Sequence, residues 1–299
     1  MRFFINSETD PAYNLALEET LFRKFPEPFL MLWRNRSSVI VGKNQNTLAE
    51  VDAAFAETHH IAVIRRITGG GAVYHDLGNV NYSLLIPERH PEADCFATFA
   101  RPVVEALQKM GIPARFSGRN DIEADGRKFS GNAFYCVGKN KCHHGTVLIA
   151  SDMGRLSNYL TVSKTKLEAK GIKSVRSRVV NLTELAPEMT VEAFERALIE
   201  AFAPDMTLPM PNEALYADRA EFLGSREWLL GSDPEFTDEI KYRTDEGEFT
   251  LHLTVKGEIV TDCTVYTDSL EPTAAERICA EVIGKRFEEM QNAKGKMQN

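Results

Sequence analysis

"RRITGGGAVYHD", residues 65–76, places three consecutive glycines between two arginines and a histidine. One glycine, sometimes two, is sufficient for an ordinary hairpin turn. A flexible turn between two strands is one interpretation of this stretch. The other is a loop whose bare backbone amides approach an anion or a flat ligand closely. The side chains of Arg65, Arg66 and His75 favour the second interpretation, because cationic and hydrogen-bonding groups converge on the same loop.

Short apolar runs alternate with helical patterns on both sides of this loop. The apolar runs predict strands at residues 3–5, 30–33, 39–41, 62–64, 82–86, 129–135 and 145–150, the last two paired across a polar loop at residues 136–144. Apolar residues at helical spacing predict helices over residues 12–25, 50–58, 96–110 and 191–202, the first of them capped by Asp10 with Pro11 at its first position. This order predicts an α+β (α/β) fold with a mixed β-sheet.

The bulk composition limits the class of protein. The 299 residues are 43% hydrophobic and 26% charged, as is typical of globular proteins, and the net charge of -8 argues against a general attraction to nucleic acid. Five cysteines without a CxxC pair predict a reducing, cytoplasmic compartment. The N-terminus becomes polar within ten residues and no apolar run approaches the roughly 18–20 residues of a membrane span, so we expect neither signal peptide nor transmembrane helix.

The C-terminal part has a different pattern. Residues 231–240, GSDPEFTDEI, are rich in turn formers and acidic residues, which indicates a boundary. Beyond them, residues 247–267 alternate with period two, and residues 273–290 have the pattern of an amphipathic helix. We therefore predict a catalytic domain over residues 1–235 and a small β-hairpin/helix domain over residues 236–299.

A second polar cluster lies in "GRNDIEADGRKFSGNAF", residues 118–134. Asn120 and Asp121 offer adjacent oxygen ligands of the kind Mg²⁺ prefers together with phosphate oxygens. The dipeptide Asp125-Gly126 predicts a hairpin that brings Lys128 close to Asp121. A carboxylate and an ammonium that converge in this way suit phosphoryl or nucleotidyl transfer. An ordinary ion pair on a solvated hairpin is the alternative.

The stretch "KCHHGTVLI", residues 141–149, leaves three interpretations open. Cys136, Cys142 and the two histidines could bind zinc, although their spacing does not match a usual structural zinc site. Cys142 could be a nucleophile whose thiol pKa is lowered by a neighbouring imidazole. Alternatively, His144 forms a pocket wall and Cys142 fills a gap in the core.

A basic stretch follows within residues 164–178 of this acidic chain. It suits a triphosphate, an acidic protein partner or a mobile lid, and a solvated surface is the alternative. Its cationic residues are Lys164, Lys166, Lys170, Lys173, Arg176 and Arg178.

These segments, in this order, closely resemble the lipoate–protein ligases over nearly the whole chain. The motifs are YNLALEE (13–19), LWRN (32–35), RRITGGGAVYHDLGN (65–79), GRNDI (118–122), GRKFSGNAF (126–134), HHGTVLI (143–149), LSNYL (156–160), KGIKSVRSRVVNLTEL (170–185) and VYTDSL (265–270). The resemblance implies the biotin/lipoate ligase fold and an ATP- and Mg²⁺-dependent activation of (R)-lipoate, or of octanoate, to the acyl-AMP with release of pyrophosphate. It further implies transfer to a lysine of lipoyl domains, in 2-oxoacid dehydrogenase acyltransferase subunits or the glycine-cleavage H protein.

The resemblance also implies roles for individual residues. Lys128 would be the catalytic cation that bridges carboxylate and α-phosphate, and Asp121 with Asn120 would hold Mg²⁺. The glycine run would let its loop close over adenylate and acyl chain without a Cβ in the way. Apolar candidates for the acyl tunnel are Leu17, Trp33, Val73 and Phe134. The residues expected to bind ATP or lipoyl-AMP are Arg66, Thr68, Gly69, Gly70, Gly71, Ala72, Val73, Tyr74, His75, Asn120, Lys128, Ala133 and His144.

Two other functions stay open at this stage. One is a cysteine-dependent octanoyl/lipoyl transferase or amidotransferase of the same superfamily, which would use Cys142 and no ATP. The other is a non-catalytic protein that binds lipoyl domains. One departure concerns Tyr135, which stands where many members of the family have a basic residue, so its phosphate contact would be absent or supplied by Lys139 or Lys141.

Overall fold

The structure is a computed structural model of the chain. It describes residues 2–24, 28–51, 53–86, 95–118, 120–137, 140–155, 178–204, 206–207, 211–230, 237–256 and 259–287. Within them, no helix has the length and apolar character needed to cross a membrane. The predicted α+β class with a mixed sheet is confirmed.

The largest element is a mixed sheet of eight described strands in the order β11-β1-β2-β6-β10-β9-β8-β7. β1 runs parallel to β2 and to β11, and the other neighbours are antiparallel. The strands are β1 (Arg2–Ile5), β2 (Phe29–Trp33), β6 (Asn79–Ile86), β7 (Arg115–Ser117), β8 (Asp121–Ala124), β9 (Arg127–Val137), β10 (Asn140–Leu148) and β11 (Met206–Thr207).

A small second sheet consists of β3 (Ser38–Val41), β4 (Ala62–Arg65) and β5 (Val73–His75), with β3 in the centre. β3 is parallel to β4 and antiparallel to β5. All four residues of β3 are buried, which is why the sequence shows a continuous apolar run there instead of an alternating one.

The helices cover the large sheet and extend the core. They are α1 (Pro11–Lys24), α2 (Thr47–Glu50), α3 (Ala53–Thr58), α4 (Cys95–Lys109), α5 (Leu182–Leu185), α6 (Val191–Phe202), α7 (Ala217–Gly224), α8 (Arg226–Leu230) and α9 (Ala274–Val282). The predicted start of α1 is confirmed, since the Asp10 carboxylate accepts hydrogen bonds from the Ala12 and Tyr13 amides, at 2.9 and 3.2 Å.

The two faces of the large sheet have different partners. One face packs against α4 and α6 through residues such as Leu32, Leu84, Val103 and Phe194. The opposite face, called here the site face, lies under α1 and the small sheet. Buried polar side chains are concentrated between the site face and its cover of α1 and the small sheet. Buried polar groups need partners, so a ligand-binding site is expected on this face.

The C-terminal part has its own core and differs from the prediction. It contains three antiparallel strands, β12 (Asp238–Thr244), β13 (Gly247–Lys256) and β14 (Ile259–Thr267), followed by α9. The predicted β-hairpin did not include β12. Charged residues occupy the exposed positions of this strand and only Ile240 is fully buried, so its apolar pattern is weak. The helix ends at Val282, earlier than predicted, and Gly284 adopts a positive φ of 87° soon after. The boundary after residue 235 stays a prediction.

Two further expectations need correction. Residues 50–58 do not form one helix, because Val51, between α2 and α3, is buried in the core beneath the small sheet. The polar segment 136–144 is not a loop, because β9 continues to Val137 and β10 already begins at Asn140. Cys142, His143 and His144, at the end of this segment, are all buried, so packing on both faces of the sheet stabilises a strand here despite its low β-propensity.

Candidate functional site

The strand register arranges side chains on the site face in three rows that cross β2, β6, β10 and β9. Residues two apart along a strand share a face, so the rows follow from the pairing of the strands. The first row is Phe29, Leu85, Cys142 and Tyr135; the second is Met31, Ser83, His144 and Ala133; the third is Trp33, Asn81, Thr146 and Gly131. The first row is therefore mostly apolar, and the second and third rows each contain two polar side chains.

Lys128 lies at the β9 end of the third row. A Cβ added at Gly131 would be 2.9 Å from Lys128 Nζ and 4.0 Å from Thr146 Oγ1, so the ammonium lies over the glycine on the site face. The Lys128 ammonium binds Asp121 Oδ1 at 2.6 Å, and Arg178 Nη2 binds Asp121 Oδ2 at 2.7 Å. The predicted convergence of Asp121 and Lys128 is present, with Arg178 as an additional cation.

Local backbone structure holds these charges in place. Asp125 and Gly126 have φ of 50° and 74°, the left-handed conformation of the expected tight turn between β8 and β9. The Lys128 amide donates to the Arg178 carbonyl at 2.8 Å, and the Val180 amide donates back to Lys128 at 2.9 Å. This bridge fixes the two cations on either side of Asp121.

Asn120 is held by a reciprocal pair with Asn132. The Asn120 side-chain amide donates to the Asn132 carbonyl at 2.6 Å, and the Asn132 side-chain amide donates to the Asn120 carbonyl at 2.9 Å. The described residues contain no group of three His, Cys, Asp or Glu side chains arranged to hold a metal ion. Asp121 with Asn120 therefore offers one carboxylate and one amide, and a metal there needs further oxygen ligands from a substrate.

A buried hydrogen-bond chain connects the second row to the glycine loop. Glu18, on α1, accepts from the Ser83 hydroxyl and from His144 Nδ1, at 3.0 and 3.1 Å to its two oxygens. His144 Nε2 lies 2.9 Å from Thr68 Oγ1, which accepts from Arg66 Nε at 2.9 Å. Burial raises the pKa of Glu18, but His144, Ser83 and the charge of Arg66 lower it overall. Glu18 is thus an ionised carboxylate, and His144 Nδ1 carries a proton.

Arg66 joins this chain to the glycine loop itself. Its Nη2 donates to the Gly69 and Gly71 carbonyls at 2.6 and 2.9 Å, and its Nη1 donates to the Ile40 carbonyl at 3.1 Å. Burial lowers the pKa of Arg66 to about 10, so the guanidinium remains charged at neutral pH. The neighbouring Arg65 instead binds carbonyls of residues 42–45 and of Leu229, and is a structural residue.

The glycines contact the C-terminal part of the chain, which the sequence did not indicate. A Cβ at Gly69 would lie 2.5 Å from the Ser269 carbonyl oxygen, and Gly70 has a φ of 90°. The Gly70 amide donates to the Ser269 carbonyl at 3.0 Å, and the Thr267 amide donates to Asn44. The absence of a side chain at Gly69 therefore leaves space for residues 267–270 in this structure. The sequence analysis had predicted that the glycines leave space for the adenylate and the acyl chain.

The residues after the glycines alternate between two environments. Val73 packs against the core of the site face, while Tyr74 is buried in the core on the other side of the small sheet, with Ala72 packed against it. Tyr74 and Ala72 can therefore contribute to the site through their backbone alone. His75 has its ring against Trp33, with 6.2 Å between the ring centroids, and so lies at the β2 end of the third row.

The structure separates the members of the Cys-His segment. Cys142 and His144 lie on the site face, and the intervening His143 lies on the opposite face, so these three side chains do not converge on one ion. Burial, followed by the charge of Glu18, raises the pKa of the Cys142 thiol well above its usual range. The interpretation of Cys142 as an activated thiolate is therefore wrong for this structure.

Three of the four acyl-tunnel candidates lie in the core of the site face: Leu17, Trp33 and Val73. Phe134 pairs with His143 and so lies on the opposite face, which excludes it from a tunnel on the site face. Neighbouring strand residues such as Ala133 and Phe134 point to opposite faces of the sheet. The sequence alone did not show which of the two faces the site.

Tyr135 contacts protein groups. Its hydroxyl accepts from Arg23 Nη2 at 2.9 Å, and its ring packs against Phe22. Lys141, one of the two suggested replacements for a basic residue at 135, lies on the face opposite Cys142. The other, Lys139, and the cationic residues of the basic stretch before Arg178 lie outside the described residues.

Sequence reasoning missed Glu18 and Asn35 as parts of the site, and it named Arg178 as a member of the basic stretch without its pairing to Asp121. A signal existed for Glu18, since it shares a helical stripe with Asn14, Leu17 and Leu21 and is a charged residue on a buried face. Nothing in the sequence indicated that Arg178 would pair with Asp121, because 57 residues separate them.

Comparisons with known proteins show to which family the chain is similar. A family model described as "Lipoyl protein ligase A/B catalytic domain" matches residues 10–203, and one described as "Bacterial lipoate protein ligase C-terminus" matches residues 233–294. The lipoate–protein ligase LplJ of Bacillus subtilis is 37% identical, over 95% of this chain and 90% of that protein.

Several solved structures are similar to the whole chain or to its larger part. P. falciparum LipL1 in complex with lipoate has a TM-score of 0.81 and 28% identity, covering 95% of this chain and 89% of that one. Lipoate–protein ligase A bound with ATP has a TM-score of 0.68 and 29% identity, covering 77% and 98%. A bipartite lipoate protein ligase from Thermoplasma acidophilum, described with its E2 lipoyl domain, has a TM-score of 0.67 and 28% identity, covering 79% and 98%.

Proposed function

The chain belongs to the lipoate–protein ligase family, and from this premise we propose that it activates lipoate with ATP and attaches the lipoyl group to a protein lysine. In the first half-reaction the lipoate carboxylate attacks the α-phosphate of ATP, which forms lipoyl-AMP and releases pyrophosphate. In the second, the ε-amine of a carrier lysine attacks the acyl carbon, which forms the amide and releases AMP.

The observation that carries this proposal is the position of Lys128. Its ammonium lies at the end of the covered site face, over a glycine, with Asp121 as its partner at 2.6 Å. A carboxylate and an α-phosphate repel each other, and a fixed cation between them stabilises the charge that builds up at phosphorus. Arg178, on the other side of Asp121, is a second cation available to phosphate oxygens.

The site fits Mg²⁺ and ATP only if the nucleotide supplies ligands. Mg²⁺ commonly binds through one or two carboxylates together with phosphate oxygens and water, so Asp121 with Asn120 is a sufficient protein contribution. The ion would neutralise phosphate charge. Both Asp121 oxygens are paired with cations in this structure, so we expect Lys128 and Arg178 to exchange Asp121 for the incoming phosphates.

The rest of the site face suits an acyl chain. Leu17, Trp33 and Val73 provide apolar cover next to the third row, and the glycine loop with Arg66 forms the cover from above. Octanoate has the same carboxylate and chain as lipoate without the ring, so the family chemistry admits both acids as substrates.

The acceptors that this chemistry requires are lysines of lipoyl domains, in 2-oxoacid dehydrogenase acyltransferase subunits and in the glycine-cleavage H protein. The T. acidophilum relative, described with its E2 lipoyl domain, supports the first of these. The described cysteines, Cys136, Cys142, Cys263 and Cys279, form no disulfide, which supports the proposal of a reducing compartment such as the cytoplasm.

The test is an assay of both half-reactions with the full chain. We expect lipoate-dependent release of pyrophosphate from Mg-ATP, and a mass increase of one lipoyl group on a purified lipoyl domain. The Cys142→Ser variant should retain ATP-driven transfer, which separates this function from a cysteine-dependent transferase. Lipoyl transfer without ATP, or binding of the lipoyl domain without pyrophosphate release, would contradict the proposal.

A further inference from the structure

The third row ends at a buried imidazole with one unused hydrogen-bonding atom. His75 is 3% exposed, and its Nε2 has no hydrogen-bond partner among the described residues. Its Nδ1 lies 3.0 Å from the side-chain nitrogen of Asn35, so Nε2, on the other edge of the ring, points away from Asn35. A buried polar atom without a partner costs free energy unless a ligand or water satisfies it.

A chain of asparagines determines which nitrogen of His75 carries the proton. The Asn14 Nδ2 group faces the Glu8 and Arg34 carbonyls at 3.0 Å, which fixes the orientation of that amide. Asn14 Nδ2 also donates to Asn35 Oδ1 at 2.9 Å, so Asn35 must present its own Nδ2 to His75. An amide nitrogen donates and does not accept, so His75 Nδ1 is the acceptor and the neutral ring has its proton on Nε2.

The ring is also prevented from becoming a cation. Burial, and then the electrostatic influence of Arg66 and of the neighbouring His144, lower the pKa of His75 to about 3. At neutral pH, His75 is thus a neutral ring with a single N–H. Asn81, in the same row, also has an unpartnered amide nitrogen in the described part of the chain, but its amide pairs only with Asn79 there and can be turned either way. His75 alone of these two has an assigned proton.

His75 and Lys128 lie at opposite ends of the row. The row runs from Trp33 through Asn81 and Thr146 to Gly131, which is three strand spacings of about 4.8 Å, or roughly 14 Å. An extended eight-carbon acid is about 9 Å from its first carbon to its last, and a hydrogen bond of about 3 Å at each end brings the total close to this span. A ligand whose carboxylate meets Lys128 therefore brings the far end of its chain toward His75.

On the basis of the proposed function, we propose that His75 is a specificity-determining residue, whose Nε2–H donates a hydrogen bond to a dithiolane sulfur of lipoate. Asn35 and Asn14 are positioning residues that fix this donor. Octanoate ends in a methyl group, which has no acceptor and leaves the N–H unpaired, so the site favours lipoate. Sulfur is a weak acceptor, and the expected preference is modest, about three- to tenfold.

The test compares the binding of lipoate and of octanoate without ATP, by calorimetry, for three proteins. The natural chain should bind lipoate about three- to tenfold more tightly than octanoate. The His75→Phe variant keeps an aromatic ring against Trp33 and should reduce this ratio to about one. The control is His143→Phe, the same substitution at a histidine of similar burial on the opposite face, which should leave the ratio unchanged.

A second measurement needs no variant. In ¹⁵N-labelled protein, the His75 signals should be those of the Nε2–H tautomer, and the Nε2–H resonance should shift with lipoate but not with octanoate. Three results would overturn this inference and leave the proposed function intact. They are an Nδ1–H tautomer, an Nε2–H resonance that lipoate does not shift because only water binds there, and equal affinities for the two acids. Absence of binding of either acid would overturn the proposed function and, with it, this inference.

Discussion

The two ends of the site face are built in opposite ways. At one end Lys128, Asp121 and Arg178 form ion pairs whose side chains are 24%, 14% and 28% exposed. Away from that end, Glu18, Arg66, His75 and His144 are all less than a tenth exposed. Hydrogen bonds join Glu18, His144 and Arg66 through Thr68, and His75 is held by Asn35. The charged side chains that must bind an incoming anion are accessible to solvent, whereas the polar groups at the other end are buried.

This difference has a physical reason. A partly solvated ion pair contributes little net free energy, so it can exchange a carboxylate partner for a phosphate at small cost. A buried carboxylate or guanidinium cannot lose its partner without leaving an uncompensated charge in the core. The exposed end is therefore adapted to change partners during the reaction, and the buried end to keep a single arrangement.

The largest expected effect is at the exposed end. Lys128→Ala should reduce lipoyl-AMP formation by at least about a hundredfold, because a preorganised charge stabilising the transition state is lost. The fold should be little affected, since the pair with Asp121 is partly solvated. Pyrophosphate release and thermal unfolding measure the two properties.

The control is Lys241→Ala, which removes a lysine of β12 that is also ion-paired, to Glu239, and whose side chain is 61% exposed. It should change neither property. Normal adenylation by the Lys128→Ala variant would remove the central role assigned to this ammonium.

The second largest effect concerns the buried end and should appear in the free energy of unfolding. Glu18→Gln should lower the free energy of unfolding by about 3–5 kcal/mol, because the buried charge of Arg66 loses its counter-charge and the Nδ1–H of His144 loses its carboxylate acceptor. Glu19→Gln is the matched control: Glu19 is equally buried, but its partners Arg23 and Arg219 are 46% and 32% exposed, so its loss should be smaller. Denaturant unfolding at neutral pH makes the comparison.

The pH dependence of this loss follows from the sign of the pKa shift. The pKa of Glu18 is lowered below its usual value of 4.5, so its contribution to stability is present above that pH and disappears as pH falls through the folded-state pKa. The gap between the natural chain and the Glu18→Gln variant should therefore close in acid. A gap of equal size at pH 7 and at pH 3 would contradict the assignment of an ionised Glu18.

The smallest expected effect on stability concerns the contact between the glycine loop and residues 267–270. Gly69→Ala places a Cβ 2.5 Å from the Ser269 carbonyl oxygen and should cost about 1–3 kcal/mol as residues 267–270 shift. Hydrogen exchange of the peptide containing residues 267–270 should increase. Gly224→Ala, whose Cβ meets only Ala12 at 3.6 Å, should leave this exchange as it was. Unchanged exchange in the Gly69→Ala variant would indicate that the two parts of the chain do not depend on this contact.

Much of the fold was accessible from the sequence where the pattern was local. The run at Phe29–Trp33, the capped start of α1 and the Asp125-Gly126 turn each depend on neighbouring residues, and each was predicted close to its observed place. The strand β12 was missed because its alternation contains few apolar residues. Residues 140–144 were predicted as a loop because polar residues there are buried by partners distant in sequence.

The candidate site divides in the same way. The conspicuous residues Lys128, Asp121, Arg66 and His75 were found in the sequence, because charges and glycines in an apolar context are visible there. The pairings within the site were not predicted, because Arg178 is far along the chain from Asp121, and Glu18 is far from His144.

By itself, the amino-acid sequence determined the class of fold, the family resemblance and the identity of the groups that carry charge, since these depend on composition and short-range spacing. Only the tertiary structure decided which face each strand residue occupies, because a shift of one residue moves a side chain to the opposite face. It also decided which nitrogen of His75 bears its proton and that Ser269 lies against Gly69, because both depend on contacts between segments that are distant in the chain.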